Sequence, residues 1–162
     1  MNSEAVPPEV QMKEVTTLAI QQAELIIRLY ELRREPVMRL ARTYVGGEFL
    51  PASIDDLLAA MSDPEHSAYV LQVFGYWDMV AAMVFHGALD ESFVYACCSE
   101  MYFQFAKIKP YIAEFRARNS LPELFANLER LTEASAQGTA RLQHMQSYLQ
   151  VCQSAARLKE TH

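Results

Sequence analysis

Residues 64–87, PEHSAYVLQVFGYWDMVAAMVFHG, decide the fold of this chain. At helical spacing, their apolar side chains fall on two faces. One face carries Val70, Phe74, Trp77, Ala81 and Phe85, and the other carries Tyr69, Val73, Tyr76, Val80 and Met83. A helix that is apolar on almost all sides has to be covered by protein or by lipid. We therefore predict a central helix over residues 64–87 that is buried by the rest of the chain.

The same stretch is close to the length that crosses a bilayer. A spanning position would place the Asp78 carboxylate near the middle of the hydrocarbon, and no Lys or Arg flanks either end. These features favour the core helix of a cytoplasmic protein that has no contact with a membrane. The start of the chain agrees, because residues 1–8 are polar and lack the apolar core of a signal peptide.

Helical periodicity continues on both sides of the central stretch and predicts an all-α bundle of about six helices. We expect disorder over residues 1–8 and a single helical domain over residues 9–160. The first and last helices should be long. The stripe of the first helix repeats in steps of three and four, at Val15, Leu18, Leu25, Leu29 and Leu32. Pro36 should end or kink that helix.

The last segment carries a heptad pattern of apolar residues from Leu121 to Ala156. It predicts either one helix over residues 121–160 or two helices broken near Gly138, and we favour the continuous helix. In that form residues 138–160 would project as a coiled-coil-like extension. The stripe would pack against the first helix of the same chain or against a second subunit. For a homodimer, the predicted interface consists of Leu142, Met145, Leu149 and Cys152.

Charges are distributed unevenly along the chain, whose net charge is −6. Between Arg42 and Lys107 there is no Lys or Arg, but there are nine acidic residues. Ion pairs of this middle part must therefore reach another part of the chain or another subunit. The negative balance argues against nucleic acid as a partner. A basic patch of Arg33, Arg34, Arg39 and Arg42 would be the exception, but pairing with the acidic middle part explains these side chains better.

No spacing in the sequence is typical of an enzyme or a metal centre. The three cysteines, Cys97, Cys98 and Cys152, have no C-x-x-C spacing. The histidines lack the H-E-x-x-H and E-x-x-H spacings, and the chain has no Gly-rich phosphate loop. We therefore predict no catalytic residue, no metal, no cofactor and no enzymatic activity.

Asp78 is the most suggestive single residue, because it stands on the apolar stripe next to Trp77. A buried carboxylate needs a partner. We favour a structural ion pair between Asp78 and an Arg from the first or last segment. The alternative is a ligand pocket formed by Trp77, Asp78, Tyr102 and Phe105, since aromatic residues can line an adaptable pocket.

Glu100, Gln104 and Lys107 follow one another at helical spacing. They could reach into the same core as Asp78, but the simpler interpretation is that they form the solvated face of their helix. An acid–base role for Asp78 or Glu100 is the least favoured hypothesis, because no second catalytic group lies near either residue in the sequence.

Two blocks of the sequence resemble a family of small bacterial all-helical proteins that is defined by a domain of unknown function. The first block is Tyr30-Glu31-Leu32-Arg33, followed by Pro36, Met38 and Arg42. The second consists of Phe74, Asp78 and Val84, then Gly87-Ala88-Leu89-Asp90, Val94 and Lys107-Ile108-Lys109-Pro110-Tyr111-Ile112. The resemblance spans about residues 28–131 and implies an all-helical fold. It implies no activity, because the family is uncharacterised. Members often carry an N-terminal membrane helix, which we expect this chain to lack, and the long C-terminal segment lies outside the resemblance.

The sequence therefore predicts a non-enzymatic helical interaction or scaffold protein, homodimeric through its long helices. The alternative is a helical bundle that binds a small molecule in a pocket near Trp77 and Asp78. Both hypotheses depend on where these side chains lie in the folded chain.

Overall fold

The computed structural model describes residues 8–160 of the chain, with side chains for residues 17–155. Over these residues the chain forms nine α-helices and one π-helix. They are α1 (Pro8–Leu32), α2 (Pro36–Thr43), the π-helix (Tyr44–Glu48), α3 (Ile54–Ser62), α4 (Pro64–Phe85), α5 (Glu91–Cys97), α6 (Ser99–Ile108), α7 (Ile112–Asn119), α8 (Ala126–Thr132) and α9 (Ala136–Glu160). The predicted all-α class is confirmed. The predicted disorder of residues 1–8 lies outside the described residues, except for Pro8, where α1 begins.

The predicted count of about six helices is too low. For example, Cys98 adopts a non-helical backbone conformation and separates two helices, α5 and α6, that follow each other directly in the chain. The described chain also divides into two compact units after Glu35, where the sequence predicted one domain over residues 9–160. The first unit contains α1, and the second contains the remaining helices.

Helix α4 is the centre of the second unit. The Asp63 carboxylate caps its start by accepting hydrogen bonds from the Glu65 and His66 N–H groups, at 3.0 and 2.8 Å. The helix packs against α2, α3, α8 and the π-helix. Its buried side belongs to Val70, Val73, Phe74, Tyr76, Trp77, Val80 and Ala81.

The expectation that α4 is enclosed on every side is wrong. Leu71 and Met79 are 45% and 38% exposed, and Gly75 lies between them on the same exposed side. The helix therefore buries one broad side and leaves the opposite side open. In the described part of the chain, α4 is also the helix with the length and mean hydropathy (1.4) of a membrane span, a weak indication that core helices share.

The predicted continuous helix over residues 121–160 is wrong, because α8 ends at Thr132 and α9 begins at Ala136. The alternative of two helices broken near Gly138 is correct, and the break lies a few residues before Gly138. The Ser135 hydroxyl oxygen accepts a hydrogen bond from the Gly138 N–H at 3.1 Å, as an N-cap residue does at a helix start. A new helix therefore begins where the heptad pattern is weakest.

Helix α9 packs against α6 in the same chain. Leu142 and Leu149 are both buried. The Arg141 guanidinium lies 3.5 Å from the centre of the Tyr95 ring and donates a hydrogen bond to the Tyr95 carbonyl at 2.6 Å. Further along, the Gln153 amide donates to the Pro51 carbonyl at 2.9 Å. The predicted projection of residues 138–160 is therefore wrong at least as far as Gln153.

Ion pairs join the acidic middle of the chain to basic residues outside it, as predicted. Arg42 holds Glu100 in a two-bonded pair with distances of 3.0 and 2.8 Å. The Asp55 carboxylate lies 3.9 Å from the Arg118 guanidinium. Glu100 is thus half-buried and paired rather than part of a solvated face.

The tight packing at the start of α9 gives the first testable prediction. A Cβ added at Gly138 would lie 2.9 Å from the Thr132 carbonyl oxygen and 3.2 Å from the Ser135 hydroxyl. We expect Gly138→Ala to lower the free energy of unfolding by about 1–3 kcal/mol, because backbone must move to make room. Chemical denaturation monitored by circular dichroism measures this change.

Gly75→Ala is the matched control for that prediction. Gly75 is in the middle of α4, and a Cβ there would meet no atom within 4 Å. Because Ala has a higher helix propensity than Gly, the free energy of unfolding of this variant should rise by about 0.5–1 kcal/mol. Equal effects of the two substitutions would contradict the packing described for Gly138.

Candidate functional site

The structure does not bring the predicted ligand-binding residues into one pocket. Trp77, which is 1% exposed, packs edge-to-face on Tyr76 with ring centres 4.8 Å apart. Tyr102 packs in the same manner on Tyr95, at 5.8 Å. Phe105 is fully buried. These three aromatic side chains are part of the close-packed core, and each has protein neighbours in place of a ligand.

Tyr102 is also unsuited to proton transfer near neutral pH. Its hydroxyl is buried, and burial raises its pKa to about 12 against the opposing effect of the Arg141 charge. The Tyr102 hydroxyl therefore stays protonated under physiological conditions, and the side chain acts as a packing group.

Asp78 has the structural role that the sequence favoured, but with a different partner. Its carboxylate accepts hydrogen bonds from the Leu128 N–H at 2.9 Å and from the Asn127 side-chain amide at 3.1 Å. Both donors lie in the first turn of α8. The predicted Arg partner is therefore replaced by the positive end of a helix, where a carboxylate is stabilised.

The start of α8 requires such an external cap. Phe125 occupies the N-cap position with a left-handed backbone (φ 55°) and supplies no side-chain hydrogen bond. Its ring instead packs on Phe74 of α4, with centres 5.4 Å apart. From α4, Asp78 thus accepts the Leu128 N–H hydrogen bond that a Ser or Asp side chain at position 125 would have accepted.

The predicted dimer interface on α9 lies largely inside the chain. Leu142 and Leu149 are buried in the second unit, while Met145 and Cys152 are half-buried. The heptad stripe is used for packing within the second unit, where α6 is its partner. The predicted homodimer is a separate question and stays a prediction.

The preferred interpretation of Lys107 as part of a solvated face is wrong, because the structure places this residue in the core at 4% exposure. Its ammonium group donates to the carbonyl oxygens of Val45 and, at 3.3 Å, Gly46. These carbonyls belong to the π-helix, an element that recurs at functional sites. The Nζ atom also lies 4.8 Å from the centre of the Phe103 ring. The buried charge is thus held by neutral groups.

Burial lowers the pKa of Lys107 to about 8, against the opposing effect of the Glu100 carboxylate. That carboxylate is already occupied by Arg42. A buried ammonium group that has carbonyl oxygens but no directly bonded anion is less stable than the same group in water. Lys107 therefore changes charge much closer to neutral pH than an ordinary lysine.

An open cavity of about 390 Å³ lies beside Lys107. Its lining comes from α6, from the turn after it, from α9 and from the connector before α3. The lining residues are Pro51, Ala106, Lys107, Pro110, Tyr111, Gln143, Gln146, Ser147, Leu149, Gln150 and Gln153. The volume suits a small metabolite. In the described residues, no group of three or more His, Cys, Asp or Glu is arranged to hold a metal ion.

One sequence signal could have located Lys107. Gln104, also buried, lies on the apolar stripe of α6, three residues after Met101 and four before Ile108. A polar residue on an apolar stripe indicates a buried polar neighbourhood. The carbonyl oxygens that hold Lys107 could not have been found in this way, because they come from a π-helix about sixty residues earlier in the chain.

Comparison with known proteins adds a family to this description. The model of one family, a domain of unknown function (DUF4760), matches residues 18–135, more than half of the chain. This match confirms the predicted resemblance to an uncharacterised domain family. No curated protein and no solved structure matches the chain.

The Asp78 cap gives a second testable prediction. Asp78→Ala removes both hydrogen bonds at the start of α8, and we expect the free energy of unfolding to fall by about 1–2 kcal/mol. Glu123→Ala removes an exposed carboxylate in the turn before α8 and should change it by less than about 0.5 kcal/mol. Denaturant titration of both variants measures the difference, and similar losses would contradict the capping role.

The Lys107 pKa gives a third prediction, for the pH dependence of stability. Between pH 8 and 10.5 the unfolded chain keeps the Lys107 proton and the folded chain releases it. The free energy of unfolding contributed by this group therefore rises with pH across that range, by on the order of 3 kcal/mol. The measurement is the difference in pH slope between the wild type and Lys107→Met, which should lack this rise.

Lys109→Met is the control for the pH experiment. The side chain of Lys109 is paired with Glu129 and Glu133, and its pKa is raised. This variant should keep the rise that is due to Lys107. A wild-type slope equal to that of Lys107→Met would show that the ammonium group is not destabilised by burial.

Proposed function

We propose that this chain, which belongs to the DUF4760 family, is a non-enzymatic helical interaction protein that associates with a second copy of itself through α1. The observation that carries the proposal is a stripe of exposed apolar side chains along that helix. Self-association is the function predicted from the sequence, and the structure supports a different helix for it.

The apolar stripe of α1 consists of the exposed Ile20, Ile27 and Tyr30 and the half-buried Ala23, which follow in steps of three and four. Ile20 is 54% exposed and Ile27 is 59% exposed. The buried residues Ile26 and Leu29 lie on another side of the same helix. Steps of three and four on one stripe are the spacing of the contact positions in a helix pair. We therefore interpret this stripe as the contact surface.

Physical chemistry favours a partner for such a helix. Covering exposed apolar side chains is favourable by about 25 cal/mol for each Å² that a partner removes from water. Contact of this stripe with a second copy of the chain would remove these side chains from water.

The charges around the stripe favour protein over lipid as the partner. Residues 17–35 contain three acidic and three basic residues. Helices that lie on anionic membranes carry an excess of Lys and Arg on their polar face. A balanced surface instead allows two copies to meet without net repulsion. These observations support a second copy of this chain as the occupant of the α1 stripe.

A small-molecule-binding bundle is the second candidate function. The close packing of Trp77, Tyr102 and Phe105 argues against the pocket predicted around them. The cavity beside Lys107 favours the same function at a different place. The two functions are compatible, since the cavity lies in the second unit and the stripe lies on α1.

The fourth prediction tests self-association. Light scattering after size-exclusion chromatography should give a dimer mass for the wild type at high concentration. Ile20→Glu combined with Ile27→Glu places unpaired charges in the contact, so we expect the dimer dissociation constant to rise at least about a hundredfold. Analytical ultracentrifugation across a concentration series measures it.

The matched control is Leu121→Glu combined with Val151→Glu, two exposed apolar residues outside α1. This pair adds the same charge and should leave the dimer intact. Loss of the dimer in this variant alone would move the interface to the C-terminal half, as predicted from the sequence. A monomeric wild type at every concentration would remove self-association altogether.

A further inference from the structure

The cavity beside Lys107 has an unusual lining for a chain of net charge −6. In this part of the described structure, the lining contains one cationic residue and no carboxylate. Its polar groups on α9 are Gln143, Gln146, Ser147, Gln150 and Gln153, which recur once per turn on one side of the helix. A neutral wall that carries amide and hydroxyl groups thus faces a single lysine.

The hydrogen bonds of Lys107 leave room for one more acceptor. An ammonium group has three N–H donors. Two of them are directed to the Val45 and Gly46 carbonyl oxygens, and the Nζ atom also lies 4.8 Å from the centre of the Phe103 ring, which carries no negative charge. Its neighbouring acid, Glu100, is bound by Arg42, and α9 contributes no titratable residue to the lining. An anion in the cavity would therefore supply the negative charge that the protein itself does not place on Lys107.

We infer that this cavity binds a small hydroxylated monocarboxylate, with its carboxylate on Lys107 and its hydroxyl groups on the glutamine side chains of α9. One cation matches one negative charge. A phosphate dianion is usually held by several cations or by the two-pronged guanidinium of Arg, and the lining has neither. Glutamine amides both donate and accept, which suits hydroxyl groups. The lowered pKa of Lys107 is consistent with a charge that gains from a bound anion.

The fifth prediction tests this site with sodium gluconate as the probe. Titration into ¹⁵N-labelled full-length protein should shift the side-chain amide signals of Gln146 and Gln150 in a saturable manner. Sorbitol has the same kind of hydroxyl chain without the carboxylate and should not shift them. Inorganic phosphate should also fail to shift them if the preference for a carboxylate is correct.

Single substitutions test the Lys107 charge separately from the polar side chains of α9. Lys107→Met should weaken gluconate binding by roughly tenfold or more, because a charged hydrogen bond is lost. Lys109→Met, two residues away and paired outside the cavity, should leave binding unchanged. Gln150→Leu, at an exposed position that tolerates replacement, should weaken binding by roughly two- to tenfold.

The absence of a saturable shift with gluconate would overturn the proposed site, and so would equal shifts with sorbitol. A response to phosphate alone would overturn the assignment to a carboxylate. If Lys107→Met does not fold, Gln150→Leu together with the pH dependence of wild-type binding still decides, since the affinity should fall as Lys107 loses its proton above pH 8. All of these readouts are independent of the self-association of α1.

Discussion

The second unit depends on the need to cover one broad apolar side of α4. That side includes Phe74 and Trp77, whose burial is worth several kcal/mol. Helices α2, α3 and α8, with the π-helix, provide the cover. These elements are short, so each is stabilised mainly by what it packs against. The packing of these short elements around α4 follows from this constraint.

The half-buried Asp78 carboxylate and the buried Lys107 ammonium group both bind backbone groups, and each lies at the helix end that suits its sign. The Asp78 carboxylate accepts from the first turn of α8, where free N–H groups give a positive end. The Lys107 ammonium donates to carbonyls of the π-helix, which follows α2 and supplies the negative end. Each charge thereby fastens a short or irregular element to a longer helix. The difference lies in accessibility, because Lys107 also borders a cavity.

The two proposals concern surfaces that the fold leaves unused. Packing of the second unit consumes the heptad stripe of α9, so that stripe does not have to serve a partner. Helix α1, in contrast, has an apolar stripe in excess of what its own chain buries. The cavity between α6 and α9 is likewise a polar space that packing leaves open. A helical family without an assigned activity could use one as a contact surface and the other as a ligand site.

The sequence alone determined the all-α class, the start of α4 at Asp63–Pro64 and the rule that acids of the middle part pair with distant bases. These follow from periodicity, capping chemistry and the linear distribution of charge, which are local properties of a chain. It also determined that Asp78 needs a structural partner, because burial of a carboxylate is costly in any fold. Only the tertiary structure decided the partner. The bond between Asp78 and α8, the bonds that hold Lys107 and the start of α9 all use backbone N–H or C=O groups. Every residue except proline carries both groups. Such groups leave no mark in a sequence, so their use becomes visible only when distant segments meet.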